Sequence, residues 1–156
     1  MSIMLTKQGF TKINDELKRL IQEERPIACQ MIEETRPVGV VEDNPEYVQA
    51  IDNQNRIEKK ILDLTEILHD CIIFDKNMCQ IDKVSFGATV SFVDCDTDIQ
   101  KQYTIVSIYE SDISKGLISI EAPFVRSMLG SEVGEIFEFN DKEYVITSIE
   151  YNIVKD

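Results

Sequence analysis

Between residues 47 and 68 the apolar positions recur with a period that suits one partner helix better than a round domain. Tyr47, Ala50, Gln54, Ile57, Ile61, Leu64 and Leu68 follow one another at alternating steps of three and four, and Asp52, Glu58, Lys59 and Asp63 stand off that seam. A stripe so narrow is buried by a single helix lying along it. The upstream sequence supplies one: Ile13, Leu17, Leu20, Ile27 and Met31 keep similar steps, Glu24 interrupts them, and Thr6 precedes the first turn. Pro26 falls inside this pattern and should kink the helix or open it locally.

Between the two runs lies TRPVGVVEDNPEY, in which Pro37, Gly39 and Pro45 each resist helix continuation. Asn44 followed by Pro45 has the form of an N-cap with proline at the first helical position. Two long helices joined by a short tip run antiparallel, so the expectation is an αα-hairpin with arms of roughly 25 residues and about 40 Å.

From residue 81 the chain changes character, with β-branched residues alternating with polar ones and turns marked by Gly and Asp. Strands are expected at 88–93, 102–109, 117–121, 136–139 and 143–153. Phe124, Val125, Met128 and Leu129 stand at helical spacing within 122–129, and Gly130 is placed to end that helix. The expected fold class is α+β: a coiled-coil hairpin over 1–75, a linker at 76–80, and over 81–156 a mostly antiparallel sheet with one short helix.

Charge narrows the function classes. With 29 acidic residues against 16 basic, the net charge is −13. Binding that neutralises nucleic-acid phosphates draws on Lys and Arg, so independent binding of that kind is not expected. No stretch approaches the roughly 20 apolar residues of a membrane span. The opening MSIMLTKQGF lacks a basic segment followed by an apolar core, so no secretory leader is expected. Cys29, Cys71, Cys79 and Cys95 form no CxxC pair and accompany a single histidine, His69. That pattern fits reduced cytoplasmic thiols rather than a zinc site or a disulfide scaffold. His69 and Cys71, two apart on a helix, would face different ways and make a poor catalytic pair.

There is no glycine-rich phosphate loop and no nucleophile elbow. What remains is a group of oxygen donors at the hairpin tip: Glu42, Asp43, Asn44 and Glu46. Carboxylates of this kind suit Mg²⁺, a hard cation that keeps several waters and can activate one of them at a phosphoryl centre. Acids in a first helical turn also simply favour the positive end of its dipole.

These residues carry a family resemblance that spans nearly the whole chain. Thr6, Gly9, Glu16-Leu17, Leu20 and Arg25-Pro26 lead into the tip Gly39-x-x-x-Asp43-Asn44-Pro45-Glu46-Tyr47, followed by Ala50, Gln54, Glu58, Ile61 and Leu68. The second half adds Phe86-Gly87-Ala88-Thr89-Val90, Tyr103-x-Ile105-Val106, Leu117-Ile118-Ser119 and the run from Ala122 to Gly130. The pattern resembles the Gre-type bacterial transcript-cleavage factors, closer to the GreA branch.

The resemblance implies an N-terminal coiled-coil finger and a C-terminal FKBP-like domain that docks on bacterial RNA polymerase at its secondary channel. It implies that tip acids help hold a Mg²⁺ shared with the polymerase, so that nascent RNA in a backtracked complex is cut and the factor alone hydrolyses nothing. Carried over to this sequence, the catalytic group is Asp43 with Asn44 and Glu46. Glu42, to which the family pattern assigns no role, stands beside Asp43 as a substitute metal ligand, and Ser119, Pro123 and Arg126 mark the docking segment. A monomer without membrane attachment is expected.

The tip also departs from the family pattern Gly-Asp-Leu-x-Glu-Asn-Ala-Glu-Tyr. Val40 stands in place of its first acid, Asp43 in place of the second, and Pro45 in place of Ala. Valine cannot ligate a metal, which leaves a second expectation: a secondary-channel regulator that binds polymerase without efficient cleavage. The FKBP-like part of the resemblance brings no prolyl isomerase activity by itself.

Overall fold

The computed structural model describes residues 3–37 and 44–152. Val40, Glu42 and Asp43 lie outside the described residues. The chain forms two compact units, one of Phe10–Cys71 and the other of Ser2–Gly9 with Ile72–Asp156.

The first unit is a helical hairpin. Helix α1 covers Lys7–Arg19, its first turn lying in the other unit; a π-helical turn follows at Leu20–Glu24, then α2 at Arg25–Thr35 and α3 at Pro45–His69. Helix α3 starts where Asn44 and Pro45 predict it should, the Asn44 side chain accepting a 3.0 Å hydrogen bond from the Tyr47 N–H. Leu20 and Ala28 of the first arm pack with Ile57 and Ile61 of α3, flanked by Leu17 and Leu64.

The seam of the first arm differs from the expected one beyond Leu20. Ile27 and Met31 are 59% and 47% exposed, whereas Ala28 and Ile32, one place further on, are 0% and 8% exposed. Opening at Pro26 was expected, and its form explains the shift. Proline has no N–H to give and its ring crowds the carbonyl four residues back. The turn before it widens, with the Arg25 N–H donating to the Leu20 carbonyl five residues earlier. A π turn inserts one residue, and every later position on the arm faces one place late. On α3, Ile67 is buried as well as Ala50, Ile57 and Ile61, a choice over its neighbour Leu68 that periodicity does not make.

Ion pairs run along and between the arms. The Arg25 guanidinium donates to both Glu58 carboxylate oxygens at 2.7 and 2.9 Å. Lys60 approaches Glu16 at 3.4 Å, and Arg19 bridges Glu16 and Glu24 at 2.7 and 2.6 Å.

In the second unit the five-stranded sheet has the order β5-β4-β3-β7-β6, with β3 at Thr89–Asp94, β4 at Gln100–Val106, β5 at Leu117–Ser119, β6 at Ile136–Phe139 and β7 at Lys142–Glu150. Its pairings are antiparallel except β4 with β5, which run parallel. Two short strands outside the expected set, β1 at Ile3–Leu5 and β2 at Cys71–Ile73, pair separately. Three residues are too few to show alternation. The turn between β6 and β7 is Asn140-Asp141, both at positive φ (51° and 64°), the backbone of a two-residue hairpin turn that matches strand twist.

The expected helix at 122–129 shrinks to α4, Pro123–Arg126. Beyond it the Met128 N–H returns to Val125 and the Gly130 N–H to Val84, with Gly130 at φ +82°. Met128 is buried, and Leu129, which the helical spacing groups with it, is exposed. The core gathers Val84, Val90, Phe92, Ile105, Val125, Met128, Phe137 and Ile146 on one face of the sheet. Phe86 is also buried, and Tyr103 packs on the cluster partly exposed.

Candidate functional site

At the tip, the described residues begin again at Asn44. Besides capping α3, its amide Nδ2 donates to the carbonyl of Thr35, the last residue of α2, at 3.4 Å. One side chain thus closes the loop between the arms, using its oxygen for one helix and its nitrogen for the other. Both functions of the amide are occupied, which suits holding the tip better than ligating a metal. Glu46 is exposed in the first turn of α3, and Tyr47 is half-buried beside it. Among the described residues no group of three or more His, Cys, Asp or Glu could hold a metal ion. The carboxylate oxygens of residues 42, 43 and 46 are the hard donors that Mg²⁺ takes, two of them outside the described residues.

The expected docking residues fall on one short turn of the second unit. Ser119 ends β5 and its Oγ accepts the Glu121 N–H at 3.0 Å; its carbonyl accepts the Ala122 N–H at 3.0 Å. That tight turn delivers Pro123 to the first position of α4, where its missing N–H costs nothing. Pro123 and Arg126 are exposed, Ser119 is half-buried, and the Arg126 N–H closes the helix onto the Ala122 carbonyl at 3.1 Å. Between them Phe124 turns inward against Phe92, Phe137 and Tyr144. Phe92, Phe124 and Tyr144, with Tyr103 and Phe139, border a cleft of about 360 Å³ whose rim carries Lys101 and Lys142. Strand alternation places both lysines on that face, but nothing local in sequence joins residues 101, 124 and 142.

The ionisable groups with displaced pKa values lie elsewhere. Hydrogen bonds from Arg19, with Lys60 adding to them against a small burial cost, hold Glu16 down to about 2. The Arg25 guanidinium holds Glu58 below the usual carboxylate range. Burial pushes the Cys79 and Cys95 thiols up, away from the reactive thiolate. The Cys71 thiol donates to the Leu68 carbonyl at 3.4 Å rather than to His69.

Both halves match a known family. The N-terminal domain model of the transcription elongation factors GreA/GreB matches residues 3–73, and the C-terminal GreA/GreB model matches residues 79–151. A transcription elongation factor GreA of Caulobacter vibrioides is 37% identical over 153 residues, covering 96% of this chain and 98% of its own. One from Nautilia profundicola is 37% identical over 136 residues, covering 87% and 84%. Among solved structures, GreA factor homolog 1 of Thermus thermophilus aligns over 96% of this chain and 99% of its own, at 22% identity and a TM-score of 0.45. The chain belongs to the GreA/GreB family of transcription elongation factors.

Proposed function

We propose that this chain binds RNA polymerase at the secondary channel and promotes cleavage of the RNA 3′ end in backtracked elongation complexes. The second unit docks through Ser119, Pro123 and Arg126, and the hairpin brings its tip to the polymerase active site. Asp43, with Glu42 beside it and Glu46 on the first turn of α3, would share in holding a Mg²⁺ of the polymerase. The metal supplies a polarised water and charge stabilisation at the phosphodiester. The chain alone hydrolyses nothing, acts as a monomer and works in the cytoplasm.

The observation that carries this reading is the closure at Asn44. It ties the end of α2 to the start of α3, and Asp43, the acid the resemblance assigns to the metal, is covalently joined to the residue that makes it. The test is a backtracked elongation complex incubated with the protein and Mg²⁺. Shortening of the RNA from its 3′ end is expected, and none despite confirmed binding would refute the reading.

The second reading, a regulator that occupies the channel without efficient cleavage, is favoured by Val40 standing in place of the family's first tip acid. Under it, Val40→Asp gains cleavage at unchanged binding. In the docking segment, Pro123→Asn should weaken polymerase binding while leaving the melting temperature unchanged, because Pro123 is exposed and gives up no hydrogen bond.

A further inference from the structure

The first arm carries two apolar stripes where one would serve. In a continuous α-helix the steps through Ile13, Leu17 and Leu20 run on to Glu24, Ile27 and Met31. With one residue added at Leu20–Glu24, the paired and buried positions become Arg25, Ala28 and Ile32.

The two registers differ in what meets Glu58. In the observed one, Arg25 closes on it through two hydrogen bonds. In the α-helical one, Glu24 takes the place of Arg25 and two carboxylates face each other across the hairpin, which is repulsive. The π turn instead sends Glu24 to Arg19, five residues back, at 2.6 Å. Against that electrostatic gain stand Ile27 and Met31, which offer more apolar surface to the seam than Ala28 and Ile32 and are left 59% and 47% exposed.

Pro26 withholds its N–H and weakens the helix there in either register; we propose that the Arg25–Glu58 pair then selects between two seam registers of the first arm, one residue apart, and that these two side chains thereby position the tip. A one-residue change turns α2 by about 100° and shifts it about 1.5 Å along its axis. Asn44 is tied to the end of α2 through the Thr35 carbonyl, so the tip follows. A displacement of that size is enough to spoil the placement of catalytic groups. The consequence for cleavage rests on the function proposed above, whereas the register itself does not.

Methyl NMR on the full chain reads the register directly. In the native sequence the Ala28 methyl shows contacts to the Ile57 and Ile61 methyls, and Ile27 shows none. Glu58→Arg removes the partner of Arg25 and offers one to Glu24, so Ile27 and Met31 gain those contacts and Ala28 loses them. Glu24→Leu provides a second route to the same register by completing the α-helical stripe. Deleting Gln22 removes the added residue and keeps Ala28 in the seam, and there Glu58→Arg no longer moves it. If Ala28 keeps its contacts in both Glu58→Arg and Glu24→Leu, or if neither chain retains a packed seam, the proposal fails.

A variant that changes register should lose cleavage by about tenfold or more, with its affinity for the elongation complex changed less than about twofold. Unaltered cleavage in a register-shifted variant would remove the positioning role. If the native chain itself does not cleave, the proposed function falls while the NMR result still decides the register.

Discussion

Gly9 is fixed by a residue 101 places further along the chain. A Cβ on Gly9 would collide with the Glu110 carboxylate. That carboxylate takes hydrogen bonds from the Thr6 N–H, the Thr6 hydroxyl and the buried Ser107 hydroxyl, the last at 2.7 Å. Thr6 in turn accepts the Gly9 N–H at 3.0 Å, capping α1. An acid at this place also favours the positive end of the helix. Gly9→Ala, which would gain helix propensity on an exposed surface, should here destabilise the second unit by about 1–3 kcal/mol through overpacking. The measurement is a denaturant melt, and a neutral or stabilising result would sever Gly9 from Glu110. Thr6 and Gly9 were visible in the sequence as motif positions, and Thr6 as a helix start. Their reason was not, because Glu110 is a distant polar contact and no periodicity reports one.

The elements were legible wherever a period or a turn residue specified them. Helix α3 begins at the Asn44-Pro45 signal, and β6 covers the expected 136–139. Asn140-Asp141 marks its hairpin because short polar side chains tolerate positive φ. Asp141→Val should therefore cost about 1–2 kcal/mol, seen as a lowered melting temperature, since a β-branched residue resists that backbone. What failed was phase after Pro26, where the burial pattern moved by one residue, and length after Arg126, where the helix ended before Leu129 could turn inward. A count along the sequence assumes a constant period, and neither the π turn nor the Gly130 turn keeps it. The ion pairs along the arms add a pH dependence. Glu16 has its folded pKa depressed to about 2 from 4.5. Its contribution is complete above the unfolded value and is lost as pH falls from about 4.5 toward about 2. For so accessible a pair it should amount to no more than about 1 kcal/mol. Comparing melts of the native chain with Glu16→Gln, the difference should be present at pH 7 and vanish as the pH approaches 2.

At the scale of the molecule, the charge of −13 bears on how such a chain would carry out the proposed RNA cleavage. The acids are spread over both halves, 15 against 9 bases in residues 1–75 and 14 against 7 in residues 76–156. Several of the bases along the hairpin are engaged with neighbouring side chains: Arg25 with Glu58, Arg19 with Glu16 and Glu24, Lys60 with Glu16, and Arg56 with Asn53. The candidate tip acids and docking residues come from the sequence alone, through a family pattern that fixes their order. The clamp from Asn44 to Thr35 could not, because it joins a side chain to a backbone carbonyl. Affinity for a free nucleic acid depends on neutralising phosphates, and each cation already paired contributes less to it. The free protein should therefore leave a single-stranded RNA unshifted in a gel at about 150 mM salt, even at tens of micromolar protein. Lowering the salt should not rescue binding, since weaker screening strengthens the repulsion between a chain of net charge −13 and a polyanion. RNA retention that strengthened steeply as salt was removed would mean that the chain grips RNA itself, and the hairpin would then be more than a carrier of tip carboxylates to RNA held by its partner.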